Sequence, residues 1–232
     1  MPTDERTPTE ARLVAELLAA LRTQVASWIN PESWLADGAF AAEFQSRLLA
    51  QHVFMKSVVE QGSFDAAFIA SAKIAGGSVH VPPVGQRFWD VRIGERTISL
   101  KSSSAKSLRE NKLHISKLTE AAWIQDCRTA KMRMERVHGL FEEYVATVTS
   151  IIQLRYFQTT STYELVEVPV TLLRQVLDLR LKDFQAENTS VNIPVGSSKR
   201  DFTLKLDRSD SKITLANISK DRCLVHGTWT IS

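Results

Sequence analysis

The chain has 232 residues, of which 44% are hydrophobic and 24% are charged, a composition typical of a globular enzyme. It has no apolar run of the roughly 20 residues that cross a bilayer, no hydrophobic signal segment near its N-terminus, and only two cysteines, which argues against a disulfide framework. We therefore expect a cytoplasmic protein with one domain over residues 1–232, comprising a helical N-terminal region (1–75) and a sheet-containing core (76–232).

The N-terminal region is predicted to be helical. The segment Thr7-Pro8-Thr9-Glu10 has the form of a capping box with proline at the first helical position, and the apolar residues after it follow helical spacing. The pair Asn30-Pro31 is expected to end this helix. Two further helices are predicted over about 38–51 and 53–75, the last of them ending before Gly76-Gly77.

Residues 89–101 predict a β-hairpin, after a loop over 79–88 that contains prolines and glycine. Apolar residues alternate on each side of a tight turn at Gly94-Glu95. Asp90 begins the first strand and Lys101 ends the second, so their side chains can meet at one edge of the hairpin. Such a pair suits metal-dependent hydrolysis of DNA. The carboxylate holds the cation, and the ammonium steadies the attacking water and the charge that grows on the phosphate.

The rest of the chain predicts strands with helices inserted among them. Helices are expected over about 117–126, over 128–146 and after Pro169, and strands near 149–157, 162–168, 201–206, 212–217 and 223–231. Helices followed by a sheet with inserted helices indicate a mixed α/β (α+β) domain.

Basic residues concentrate around and after the hairpin. Residues 92–136 carry a charge balance of +6 and residues 199–222 a balance of +3, although the whole chain has a net charge of only +3. A basic zone beside an acidic metal-site candidate favours a phosphodiester substrate, with a solvated charged surface as the alternative. The candidates for contacts with DNA bases or phosphates are Arg109, Lys112, Lys199, Arg200 and Arg208.

The segment from about 53 to 123 resembles the PD-(D/E)XK nucleases, and most closely the SmaI-like type II restriction endonucleases. The similar residues are Glu60, Asp90, Ser99-Leu100-Lys101, His114-Ile115-Ser116-Lys117 and Glu120. The resemblance implies a central mixed sheet flanked by helices and a homodimer that encloses palindromic duplex DNA. It also implies Mg²⁺-dependent hydrolysis that leaves 5′-phosphates, and it favours a short GC-rich site.

The same resemblance implies roles for single residues. Asp90 matches the first acid and metal ligand, Lys101 matches the lysine, and Glu60 matches a helix carboxylate that completes the metal site. The position two before the lysine, usually an acid, is Ser99 here. Glu120, at the start of a predicted helix, is the expected substitute ligand, and Glu110 is the second choice.

Three other functions remain compatible with these residues. The chain could be a repair or junction-resolving nuclease on the same core, or a sequence-specific DNA-binding protein whose nuclease site has decayed, as Ser99 would allow. A protein-interaction domain with no role in nucleic-acid binding is the third alternative.

Overall fold

The computed structural model describes residues 6–185, 190–197 and 201–232. Its helices are α1 (Pro8–Leu21), α2 (Gly38–Leu49), α3 (Gln61–Ile74), α4 (Ala130–Thr147) and the short α5 (Val170–Leu173). The strands are β1 (Val25–Ile29), β2 (Val79–His80), β3 (Val91–Ile93), β4 (Arg96–Ser103), β5 (Lys112–Glu120), β6 (Ser150–Phe157), β7 (Thr162–Pro169), β8 (Ser190–Val195), β9 (Phe202–Asp207), β10 (Lys212–Ser219) and β11 (Leu224–Ile231). A π-helical segment (Ala50–Phe54) follows α2, and 3₁₀ turns cover Ala122–Gln125, Arg174–Asp178, Leu181–Phe184 and Lys220–Arg222.

The described strands form two sheets. The large sheet has seven strands in the order β1-β11-β7-β6-β4-β3-β2, and the small sheet has four in the order β5-β10-β9-β8. In the large sheet β4 and β6 run parallel and the other neighbours run antiparallel, so the sheet is mixed. This arrangement confirms the predicted mixed α/β (α+β) class with a mixed sheet flanked by helices.

Buried side chains lie on both faces of the large sheet. One hydrophobic cluster joins α2 and α3 to β4, β6, β7 and β11, and the other joins α4 and the small sheet to β6 and β7. Neighbouring residues of β6 separate cleanly, because Ile151 belongs to the second of these clusters and Ile152 to the first. The large sheet therefore lies between the α2–α3 layer and a layer made of α4 and the small sheet.

The predicted hairpin and most later strands are confirmed, but three expected helices are wrong in extent or kind. The first helix ends at Leu21, and the residues expected to continue it form β1, whose pairing partner β11 is about 200 residues away in sequence. The helix expected from 53 begins only at Gln61. Part of the helix expected over 117–126 is instead the end of strand β5, where Leu113, Ile115 and Leu118 turn inward against β10.

Among the residues that the structure describes, no helix combines the length and the apolar character that a membrane crossing requires.

Candidate active site

A cavity of about 390 Å³ lies beside the part of β4 that no longer pairs with β3. Strand β3 pairs with β4 only as far as Val91 and Ile98, so the backbone of β4 beyond this point has a free edge. The cavity opens along this edge, and its lining consists of Gln61, Asp65, Asp90, Leu100, Lys101, Ser102, Ile115, Ser116, Lys117 and Gln153. Both predicted hairpin residues, Asp90 and Lys101, therefore line one cavity.

Asp90 is held in place by the strand that carries the lysine. Its backbone N–H donates to the carbonyl of Ile98 at 2.8 Å, and its carboxylate Oδ2 accepts the N–H of Leu100 at 2.6 Å. The buried hydroxyl of Ser99 donates to the same oxygen at 3.3 Å. Ser99, which stands where an acid is usual, thus contacts the first acid of the site.

Helix α3 covers this free edge of β4 through the side chain of Gln61. The side-chain Nε2 of Gln61 donates to the carbonyl of Leu100 at 3.0 Å, and its Oε1 accepts the N–H of Ser102 at 2.8 Å. The same amide donates to Asp65 Oδ1 at 2.7 Å, one helical turn further on. Residues 61 and 65 share a helix face, so the packing of α3 against β4 brings Asp65 into the cavity.

Two ionisable side chains in this cavity have pKa values shifted away from their ordinary values. Burial and the nearby Asp90 raise the pKa of Asp65 to about 6, although the hydrogen bond from Gln61 and the charge of Lys101 work in the opposite direction. Burial lowers the pKa of Lys101, against the influence of Asp90 and Asp65, and Lys117 lowers it further. Two carboxylates and a partly desolvated lysine in one cavity are typical of a catalytic site.

The donor set fits a hard divalent cation. The described residues contain no group of three or more His, Cys, Asp or Glu side chains placed to hold a metal ion. Magnesium, however, is commonly bound through one or two carboxylates, with waters and substrate phosphate oxygens supplying the rest. Asp65 and Asp90 provide such a pair, and a cation between them would offset both the burial and the repulsion from Asp90 that raise the pKa of Asp65.

The two other predicted carboxylates lie in different surroundings. Glu60 is the exposed residue that precedes α3, where its backbone N–H donates to Ser63 Oγ at 3.0 Å, and it does not line the cavity. Glu120 ends β5 with its side chain 80% exposed and bound to Lys117 Nζ at 2.6 Å, and this lysine lowers the pKa of Glu120. Glu110, the second choice, is exposed in the loop before β5. Sequence analysis missed Asp65, because its position in the cavity depends on how α3, which begins at Gln61, packs against β4.

The predicted DNA-contacting residues separate into two groups. Arg109 and Lys112 line a second cavity of about 410 Å³, together with Ser103 and His114. This second cavity lies beside the cavity of Asp90 and Lys101, which we call the candidate active-site cavity or, for short, the active-site cavity. Arg208 lies in the turn between β9 and β10, while Lys199 and Arg200 fall outside the described residues.

The loop that carries Arg109 is held in place by a buried arginine of the large sheet. Arg155 is fully buried on β6 and donates to the backbone carbonyls of both Arg109 and Lys112, the latter at 3.1 Å. It also forms an ion pair with the buried Glu164 at 2.6 Å. This buried pair gives the basic loop a defined position next to the cavity.

Comparisons with known proteins show which family of sequences this chain matches. Residues 9–231 match the protein-family model described as SmaI, type II site-specific deoxyribonuclease. Among curated proteins, the type II restriction enzyme SmaI of Serratia marcescens is 25% identical over 199 residues, which cover 80% of this chain and 77% of that protein. No solved structure matches. The family match extends well beyond residues 53–123 and includes the N-terminal helices.

Proposed function

This chain belongs to the SmaI family of type II site-specific deoxyribonucleases, and we propose that it cleaves both strands of a short palindromic, GC-rich duplex site in a Mg²⁺-dependent reaction. The proposed enzyme is a cytoplasmic homodimer, and each of its chains forms a single domain. The observation that carries this proposal is the convergence of Asp65, Asp90 and Lys101 in one cavity at the free edge of β4. The arrangement of these residues supports assignment to the PD-(D/E)XK superfamily.

The proposed chemistry divides between a metal and the side chains around it. Asp90 and Asp65 would hold the divalent cation, which when bound polarises the scissile phosphate and lowers the pKa of a coordinated water. Lys101 orients the attacking water and balances the negative charge that develops on the phosphate oxygens. The water oxygen bonds to phosphorus while the bond from phosphorus to the 3′ oxygen breaks, which leaves a 5′-phosphate and a 3′-hydroxyl.

Neighbouring residues keep these groups in position. Gln61 fixes Asp65 to β4, and Ser99 together with the Leu100 N–H orients the Asp90 carboxylate. Lys101 pairs in register with Gln153 of β6. The side-chain amide of Gln153 donates to the carbonyl of His114 at 2.8 Å and so ties β6, the neighbour of the lysine strand, to β5. A preorganised site of this kind needs little rearrangement before the phosphate is attacked.

The test is digestion of unmethylated supercoiled plasmid and long linear duplex DNA with and without Mg²⁺. The wild-type protein should give discrete Mg²⁺-dependent fragments, and it should convert the supercoiled plasmid to the linear form with little nicked intermediate, because a dimer presents two sites to the two strands. Sequencing the fragment ends gives the recognition site, the cut position and the terminal phosphate.

Single substitutions test the assignment of each residue. Lys101→Ala and Asp65→Asn should lower the cleavage rate by about 100-fold or more with DNA binding retained, since each removes a group that acts on the reacting phosphate or its metal. Glu60→Gln and Glu120→Gln are the matched controls and should cleave like the wild type. Full activity in Asp65→Asn together with loss in Glu60→Gln or Glu120→Gln would reverse the ligand assignment. Sequence-specific binding without any cleavage would favour a decayed nuclease site, and cutting restricted to branched or damaged DNA would favour a repair or junction-resolving nuclease.

A further inference from the structure

The small sheet has an outer face that the proposed cleavage chemistry does not use. All four strands of this sheet turn apolar side chains toward α4 and the large sheet, namely Leu113, Ile115, Ile213, Leu215, Leu204, Leu206, Val191 and Ile193. Because side chains alternate along a strand, the residues between these point to the opposite face. No helix of the described chain covers that face with a hydrophobic cluster.

A polar row crosses this outer face and ends at the active-site cavity. The strand register pairs Asn192 with Lys205 and Lys205 with Thr214. Thr214 is buried, and its hydroxyl in turn donates to the backbone carbonyl of Ser116 at 2.8 Å, which links the row to β5. Ser116 and the adjacent Lys117 line the active-site cavity. Three strand spacings make the row ~14 Å long, which corresponds to the rise of about four base pairs.

Three basic side chains lie near His114 on this side of the small sheet. Burial lowers the pKa of His114, and the charges that lower it further are those of Lys205, Lys212 and Arg109, in that order. These three cations come from β9, β10 and the loop before β5, so they are brought together only by the sheet. His114 and Arg109 also line the second cavity, which continues the active-site cavity along the seam between β4 and β5.

The two lysines of the sheet are held at the surface by short ion pairs. Lys205 Nζ lies 2.9 Å from Asp207 Oδ2, and Lys212 Nζ lies 2.6 Å from Asp210 Oδ2. Their side chains are 33% and 24% exposed, respectively, so each lysine remains accessible to solvent beside its aspartate partner. Fixed ammonium groups lose less side-chain entropy on binding than freely rotating ones do.

We propose that duplex DNA extends from the active-site cavity over the outer face of the small sheet, where Lys205, Lys212 and Arg109 contact backbone phosphates and the exposed Asn192 lies along the same path. This inference rests on the proposed function, because it assigns the path of the DNA that the active site cleaves. It adds Lys205 and Lys212 to the predicted contacts and gives Arg109 a defined neighbourhood.

The experiment measures DNA binding as a function of salt for Lys205→Ala, Lys212→Ala and the double variant. The probe is a short labelled duplex of mixed sequence, without divalent metal so that no cleavage occurs. Each lost phosphate contact should reduce the slope of log K against log salt by ~0.9, and the double variant by about twice that amount, over about 50–200 mM salt. Lys205→Arg keeps the charge and should keep the wild-type slope.

Lys131→Ala is the matched control, since Lys131 is also an exposed, ion-paired lysine, 3.8 Å from Glu135 on α4. It should leave the slope unchanged. If wild-type protein cleaves DNA with Mg²⁺ but the Lys205 and Lys212 variants keep its salt slope, the proposed path is overturned and the nuclease function stands. If wild-type protein neither binds nor cleaves DNA, the nuclease function fails and the path fails with it.

Discussion

Asp65 carries a carboxylate whose ionisation is opposed by its surroundings. Burial is the larger cause and the neighbouring Asp90 the second, and together they raise its pKa to about 6, above the ordinary value of 3.8. The folded protein therefore holds a proton at this site more tightly than the unfolded chain does. By linkage, the ionised carboxylate lowers the free energy of unfolding at neutral pH. Such a cost is common at sites that are arranged to bind a ligand.

Replacing Asp65 with Asn should therefore stabilise the metal-free protein near neutral pH. The cost of Asp65 is absent below about pH 4, grows as pH rises toward about 6, and is complete above about pH 7. Since the group is partly exposed and screened by solvent, we expect Asp65→Asn to gain about 1 kcal/mol at about pH 7. Urea unfolding of both proteins in chelator at several pH values measures this difference.

Adding Mg²⁺ provides the complementary measurement. A cation bound between the two carboxylates stabilises the folded state by mass action, so the wild type should gain stability with Mg²⁺ and Asp65→Asn should gain much less. A less stable Asp65→Asn in chelator, or an equal response of both proteins to Mg²⁺, would contradict the proposed role of Asp65.

Strand β11 lies between β1 and β7 and pairs with both, and it leaves little space for a side chain at one position. Its register against β7 shifts between Val225 and Gly227. A Cβ added at Gly227 would lie 2.9 Å from Ile29 Cδ1 and 3.0 Å from the carbonyl oxygen of Trp28. Glycine at this position thus allows the backbones of β1 and β11 to approach, whereas a Cβ at Gly139 within α4 would meet no atom within 4 Å beyond the backbone of its own helix and its chain neighbours.

These two glycines should respond in opposite ways to alanine. Gly227→Ala forces β1 away from β11 and should cost about 1–2 kcal/mol, as overpacking of a close contact does. Gly139→Ala removes backbone freedom from the middle of an exposed helical turn and should gain about 0.5–1 kcal/mol. Thermal or urea unfolding of both variants beside the wild type compares them directly. A stabilising Gly227→Ala would show that β1 does not pack as described.

At the scale of the whole molecule, the two hydrophobic clusters share their central strands. Ile151 and Val168 of β6 and β7 face α4 and the small sheet, while Ile152 and Leu165 of the same strands face α2 and α3. Neither layer can separate from the large sheet without exposing one face of β6 and β7 to water. This sharing supports the proposal that the chain is one domain despite its two sheets.

One domain predicts one unfolding transition that both layers affect. Phe44 belongs to the α2–α3 layer and Phe141 to the α4 layer, and both are fully buried. Phe44→Ala and Phe141→Ala should each cost roughly 3–5 kcal/mol and shift the whole transition without splitting it. Far-ultraviolet circular dichroism and tryptophan fluorescence should give coincident curves for each variant. A variant in which one probe moves and the other does not would indicate two independently folding units.

The sequence by itself determined the parts of this protein that depend on neighbouring residues. The hairpin with Asp90 and Lys101, the helix α4 and the strands β6, β7, β9, β10 and β11 follow from periodicity and turn residues within short windows. Asp90 and Lys101 come together because a hairpin brings its own ends together, which needs no information from elsewhere in the chain.

The tertiary structure alone decided the rest. β1 and the end of β5 read locally as helix, and they are strands because β11 and β10, both distant in sequence, satisfy their backbone hydrogen bonds. Asp65 instead of Glu60 faces Asp90 because α3 begins at Gln61 and packs against the free edge of β4. Local sequence encodes which side chains share a face, but the partner of each face is set by packing between segments that lie far apart in the chain.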